Sequence, residues 1–244
     1  MSRVGIFVYG IVCYLVFFVV FLYGIGFIGG FFTPTTLDGV PGSPLGQALT
    51  VDLALLGAFA IQHSGMARPR FKAWWTRIVP EAAERSTYVL LSSLALVALF
   101  VLWEPIGGVI WSVPEGVARN CIIGLYLFGW LLLLYTTFLI DHFDLFGLKQ
   151  VWRRLGNKAY RAPVFRTPSL YKLVRHPLYI GWLTIFWSAP TMTVAHLIFA
   201  LATTAYILIA IRFEERDLVS AFGNVYVDYR ARTPMLVPRL RPRN

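Results

Sequence analysis

The sequence predicts an all-α, polytopic integral membrane protein: four transmembrane helices followed by a C-terminal helical hairpin. Three observations carry that prediction. Of the 244 residues, 57% are hydrophobic and only 14% are charged, whereas a water-soluble domain carries about a quarter charged residues. The apolar residues fall into long runs, and mean hydropathy is positive at +0.65. The Lys and Arg residues gather in alternate segments between those runs.

A helix needs about 20 apolar residues to cross the hydrocarbon core. Four runs meet this, at about 4–32, 48–66, 86–104 and 117–141. The first, Val4 to Phe32, is too long and too aromatic for a cleaved leader and has no Ala-x-Ala-type exit, so it is read as a span. The segment 33–47, TPTTLDGVPGSPLGQ, contains no Lys or Arg, and neither does 105–116. By contrast, 67–85 carries Arg68, Arg70, Lys72, Arg77 and Arg85, and the loop 142–175 carries eight such residues, from Lys149 through Arg161 to Arg175. The positive-inside rule then places both termini and the basic loops in the cytoplasm, as expected of a bacterial inner-membrane protein. A net charge of +10 so distributed points to an anionic leaflet of membrane lipids, not to nucleic acid.

Residues 177–211 are too long for one crossing, and Pro190 interrupts them. The tail from Arg212 onward is again basic, so the chain must return to the side it left. A helical hairpin over 176–211, turning near Ser188–Thr193, satisfies this; its first arm of about 12 residues is short for a full crossing. The tail 212–244 opens as a helix, FEERDLVSAF, and the whole chain reads as one membrane domain. Cys13 and Cys121 lie inside apolar runs and read as packing thiols. No Cys-x-x-Cys or His-x-x-x-His spacing occurs, so no metal is expected.

The hairpin has a chemical consequence. It brings Arg175 and His176, at the start of RHPLYIG, beside Glu214 and Glu215 of IRFEERDL at one membrane depth. Charges near lipid are costly unless partnered. One reading is an ordinary flank, with Pro177 in a helix's first turn and the glutamates paired to Arg212 or Arg216. The other is a clasp for a zwitterionic ligand, in which Arg meets a carboxylate and Glu an ammonium group or ribose hydroxyls.

RHPLYIG followed at this separation by FEERDL resembles the membrane methyltransferases related to isoprenylcysteine carboxyl methyltransferase and the phospholipid N-methyltransferases. The segment VYVDYRARTPMLVPRL is similar to that family's ending, so the resemblance covers roughly 140–240. It implies that Arg175, His176, Pro177, Tyr179, Gly181, Trp182, Glu214 and Glu215 hold S-adenosylmethionine. Tyr226 and Tyr229 could stack on adenine or shape the acceptor pocket. Further segments, AIQHSGMARPRFKAWW, ERSTYVLLSSL and LIDHFDLFGLKQVW, extend the resemblance to the bacterial methanethiol S-methyltransferases and, more distantly, to NnrU-type membrane proteins. The implied reaction passes a methyl group to a small volatile thiol, giving dimethyl sulfide and S-adenosylhomocysteine.

A thiol becomes a good nucleophile when it loses its proton, so such a site needs a base. Asp141, His142 and Asp144 form the best base constellation, where the fourth span meets the cytoplasm. The plainer alternative is a helix end neutralised by Lys149. His63 could hydrogen-bond Asp141, orient His142 or cap its own helix, and Arg85 could close the same polar network. His196, toward the opposite face, reads as structural. Three rival readings remain: a lipid amine or prenylcysteine carboxylate as acceptor, a non-catalytic NnrU-like role, and haem or quinone binding through His63 and His142. Oligomeric state has no signature in the chain.

Overall fold

The computed structural model describes residues 2–160 and 164–238. Arg161 of the basic loop, and Arg239 and Leu240 of the closing segment, lie outside the described residues. The elements run α1 Arg3–Gly29, α2 Leu45–Ala67, α3 Pro69–Trp75, α4 Glu81–Leu102, β1 Val109–Ser112, α5 Val117–Ile140, α6 His142–Leu145, α7 Leu148–Leu155, α8 Pro177–Trp187, β2 Thr191–Thr193, α9 Val194–Phe222 and α10 Asn224–Arg232. Five helices, α1, α2, α4, α5 and α9, are long and apolar enough to cross a membrane. With the short α8, this is the all-α polytopic architecture that the sequence predicts.

Local chemistry explains the boundaries. Ser2 caps α1 by accepting the Gly5 N–H at 3.0 Å, and Gly30, at φ 73°, ends it in the left-handed conformation that glycine adopts at no steric cost. Pro69 opens α3 at its first turn, and α4 begins after Pro80 with Glu81 and Glu84 where the helix dipole favours acids.

The chain divides into two compact units. The first comprises Met1–Trp111, Asp141–Ala162 and Met192–Ile198. There α1 packs against α4 and α7, and α2 against α4 and α3. Val151 of α7 is fully buried with Ile6 and Ala83, and it fits because Gly10 has no side chain: a Cβ at Gly10 would lie 2.6 Å from Val151. Away from the basic segments, the His196 Nδ1 meets Asp38 Oδ2 at 2.9 Å, and the other Asp38 oxygen accepts from Thr193. His196 is thus tied into a buried polar bridge.

The second unit comprises Ser112–Ile140, Pro163–Thr191 and Phe199–Asn244. Here α5 and α8 pack closely through two glycines. A Cβ on Gly129 would meet Ile185 at 2.8 Å, and one on Gly181 would sit 3.1–3.2 Å from backbone atoms of Leu133 and Gly129. The hairpin closes through Trp187, whose indole N–H donates to Thr204 Oγ1 at 3.0 Å, and through Phe186 set edge-on to Phe199 at 5.2 Å. At 1.5 Å per residue, the 11 residues of α8 rise about 16 Å, roughly half the hydrocarbon thickness. One boundary differs from expectation: α9 runs unbroken through Arg212 to Phe222, so FEERDLVSAF continues the hairpin's second arm and opens no separate tail helix. No Pro or Gly lies between Val194 and Phe222 to stop it.

Gly181→Ala is expected to lower stability by about 1–3 kcal/mol, the usual cost of forcing a methyl group into a close-packed contact. Thermal unfolding of the detergent-solubilised protein would measure it.

Candidate active site

The polar residues singled out above form two clusters, one in each unit. The second unit's cluster begins at the N-terminus of α8. Backbone bonds from the Arg175 and His176 amides to the carbonyls of Pro234 and Met235, at 2.9 and 3.2 Å, hold the α8 entry against the segment after α10. The Arg175 guanidinium then fans out, with Nε donating to Glu215 Oε1 at 2.7 Å and Nη1 donating to the carbonyls of Thr233 at 2.5 Å and Arg230 at 3.1 Å. His176 Nε2 reaches the same Glu215 oxygen at 3.0 Å. The structure therefore brings together the two motifs that lie some forty residues apart in sequence.

The two glutamates are not equivalent. The Glu215 side chain is 12% exposed and held by Arg175 and His176, with Arg230 Nη1 4.0 Å from its other oxygen. Glu214 is 44% exposed and accepts the Tyr179 hydroxyl at 2.9 Å, with His176 Nδ1 at 3.8 Å. Glu215 thus locks the cluster, and Glu214 with Tyr179 presents a carboxylate outward.

Three tyrosines complete the surroundings: Tyr226 and Tyr229, which the sequence offers as pocket residues, and Tyr171, which it does not single out. Tyr229 donates to the Tyr171 carbonyl at 2.6 Å. Tyr226 is 2% exposed, and its hydroxyl has no hydrogen-bond partner among the described residues. Burial, reinforced by the nearby Glu215 charge, pushes the Tyr226 phenol up, so it remains a neutral donor. A buried, unpaired hydroxyl is rare in a finished core and fits a site that takes a polar ligand. Tyr226 and Tyr229 stand one helical turn apart in VYVDY and so share one face of α10.

Other expected cofactor residues serve packing. Pro177 is the buried first residue of α8. The missing side chain of Gly181 admits the α5 backbone, and Trp182 lies edge-on to Trp130 at 5.6 Å and stacks on Phe186 at 5.4 Å. Close contact with α5 is what the missing side chain of Gly181 allows here.

The first unit's cluster surrounds α6. Asp141, at φ 152°, occupies a backbone region that costs a residue with a Cβ about 1–3 kcal/mol. Its carboxylate accepts the Asp144 amide at 3.1 Å and ion-pairs with Lys149. Burial raises the Asp141 carboxyl, but the Lys149 bond outweighs it and leaves the group below its ordinary value, hence ionised. His142 is buried, with Nε2 2.8 Å from the Tyr14 hydroxyl and its ring 4.8 Å from that of Phe146. Burial lowers its pKa, so the imidazole is neutral near pH 7. Asp144 accepts from Tyr160 at 3.0 Å, and burial with the adjacent Asp144 charge pushes that phenol up to about 12.

Arg85 joins this group: its Nε donates to the Leu145 carbonyl at 2.7 Å and its guanidinium lies 4.9 Å above the Tyr88 ring. His63 does not bond Asp141 or His142. Its ring nitrogens bond the Tyr88 hydroxyl, at 2.9 and 3.1 Å, and Ser92 Oγ at 3.2 Å, and the ring stacks on Phe59. Tyr88 and Ser92 lie on the α4 face that packs against α2, and short hydroxyls there satisfy the imidazole. Tyr14, the partner of His142, was not anticipated, because nothing in an apolar first span marks one tyrosine among its aromatics.

His142 also carries a pH prediction. Its folded pKa lies below the unfolded value of 6.5, so as pH falls through 6.5 the unfolded chain takes up a proton first and stability declines. The decline should be shallower in His142→Gln than in the wild type, compared by thermal unfolding between pH 7.5 and 5.5, since only the His142 share is removed.

Comparison with known proteins gives the following. The chain is 51% identical over 238 residues to a methanethiol S-methyltransferase of Crocosphaera subtropica, covering 98% of this chain and 93% of that one. It is 48% identical over 238 residues to a methanethiol S-methyltransferase of Mycobacterium tuberculosis, covering 98% of each. Nurim of Homo sapiens is 35% identical over 181 residues, which is 70% of this chain and 68% of that protein. No family model matches the chain, and no solved structure matches it.

Proposed function

The chain belongs to the methanethiol S-methyltransferase family, and we propose that it transfers the methyl group of S-adenosylmethionine to methanethiol, yielding dimethyl sulfide and S-adenosylhomocysteine. The observation that carries this reading is the clasp of Arg175 and His176 on Glu215, which leaves Glu214 and Tyr179 outward beside the unpaired Tyr226 hydroxyl. That arrangement suits a ligand with both ammonium and hydroxyl groups. Glu214 would accept from such a ligand and Tyr226 would donate to it, while Glu215 keeps Arg175 in place. When bound, S-adenosylmethionine supplies an electrophilic methyl on a positively charged sulfur.

His142 is assigned the acceptor's proton. A neutral imidazole would take the proton of methanethiol and pass it to water, leaving the thiolate sulfur that accepts a methyl group. Lys149 keeps Asp141 ionised, and Tyr14 holds the His142 ring in one orientation. The gathering of Lys and Arg in alternate segments between the apolar runs supports an inner-membrane protein with both termini cytoplasmic.

Headspace gas chromatography tests the reading. Purified protein given methanethiol and S-adenosylmethionine should release dimethyl sulfide and S-adenosylhomocysteine in equal amounts. Methylation of phosphatidylethanolamine or a prenylcysteine, with none of methanethiol, would overturn it.

A further inference from the structure

Helix α7 in the first unit does more than fill space. Its sequence, LKQVWRRL, puts Leu148, Val151, Trp152 and Leu155 on one stripe and Lys149, Arg153 and Arg154 on the other side. Val151 points into the core against Gly10, but Trp152 is 64% exposed while still meeting Phe7 of α1 at 5.7 Å between ring centres. An amphipathic helix with an exposed indole and a basic face is built to lie in the interface plane of a bilayer.

Two hollows adjoin Trp152. The larger, about 410 Å³, is walled by Phe7, Ile11, Phe143, Leu148 and Trp152, and its polar edge is the Asp141–Lys149 pair, whose charges offset each other. Phe7 and Ile11 stand about 6 and 12 Å along α1 from its first residue, Arg3, which is the depth where acyl chains begin. The smaller hollow, about 190 Å³, is lined by Arg153, Lys158, Leu155, Gly156 and the same Trp152, and no acid among the described residues lines it. Arg153 spends one N–H on the neutral Ala159 carbonyl at 3.2 Å, so its charge is retained. An apolar slot and a cationic seat thus share one indole wall.

We propose that this is a binding site for one anionic phospholipid, with an acyl chain in the apolar hollow along α1 and the phosphate in the seat formed by Arg153 and Lys158. Charge complementarity selects the anionic lipid over a zwitterionic one: a phosphodiester without a compensating ammonium leaves the two cations paired, whereas a choline headgroup brings a third cation beside them. The phosphate seat is independent of the methyl-transfer reading, since Arg153 and Lys158 take no part in it; only the Asp141–Lys149 edge of the larger hollow is shared.

Native mass spectrometry of the full chain, given equal phosphatidylglycerol and phosphatidylcholine in mild detergent, tests this. One phosphatidylglycerol should be retained in preference. Arg153→Gln with Lys158→Gln should reduce that preference by about thirtyfold, at about fivefold for each cation near an anionic lipid; Arg153→Gln alone, the fallback should the pair fail to fold, should reduce it by about fivefold. Phosphatidylglycerol brominated in its acyl chain should quench tryptophan emission, and Trp152→Phe should remove a distinct part of that quenching. Equal retention of the two lipids would overturn the proposal, as would a preference untouched by these substitutions or quenching unchanged in Trp152→Phe.

Discussion

Glu215→Gln is expected to cost about 3–5 kcal/mol of stability, the range for removing one partner of a buried ion pair, and to abolish S-adenosylmethionine binding. The physical reason is that two donors converge on one Glu215 oxygen, Arg175 Nε at 2.7 Å and His176 Nε2 at 3.0 Å. Glutamine removes the charge and leaves the guanidinium, itself only 12% exposed, without its counter-ion. Arg175 also carries the carbonyls of Arg230 and Thr233, so the α10 end of the site loosens with it. Glu214→Gln is the control. That side chain is 44% exposed and has Tyr179 as its hydroxyl partner, so stability should change by less than about 0.5 kcal/mol. Its affinity for S-adenosylmethionine should fall roughly tenfold to hundredfold, for one charge-assisted hydrogen bond of about 1.5–3 kcal/mol. Thermal unfolding and isothermal titration calorimetry on the two variants separate the roles. Normal binding by Glu215→Gln would contradict the assignment.

His142→Gln is expected to lower kcat for methanethiol by about 10²–10⁴-fold, the usual contribution of a positioned general base, with S-adenosylmethionine affinity unchanged. Because burial lowers the His142 pKa below 6.5, the wild-type imidazole is unprotonated at neutral pH, and kcat should stay level as pH falls from 7.5 to 6.5. The acid limb should begin only below that. Tyr14→Phe, which removes the 2.8 Å partner of Nε2, should cost about 1 kcal/mol in kcat/KM, as loss of a single neutral hydrogen bond does. Wild-type turnover by His142→Gln would pass the proton to Asp141 or to a water path.

Much of the fold was legible because lipid imposes a simple rule. Runs of about 20 apolar residues have few alternatives to a helix, and α1, α2, α4 and α5 lie where those runs lie. Pro190 and the basic tail required a return, and α8 and α9 make it. The end of the second arm was misjudged because charge changes at Arg212 while backbone propensity does not, and α9 follows propensity to Phe222. In the site, RHPLYIG and FEERDL meet through Arg175, His176 and Glu215, and Gly181 and Trp182 within the motif pack against α5 and its Trp130. A motif marks residues that occur together and does not separate those that touch a ligand from those that hold the helix.

By itself the chain determined what depends on composition and order: the membrane class, the spans, the return at Pro190, and the pairing of Arg175 and His176 with an acidic pair. Tertiary structure alone decided which glutamate is clamped and which is offered outward, that His142 takes Tyr14 as partner while His63 takes Tyr88 and Ser92, and that Tyr226 is left with an unpaired hydroxyl. Those outcomes turn on which atoms come within about 3 Å and how far water is excluded from them. Neighbouring glutamates, or two histidines near helix ends, are chemically alike until packing gives each a different set of neighbours.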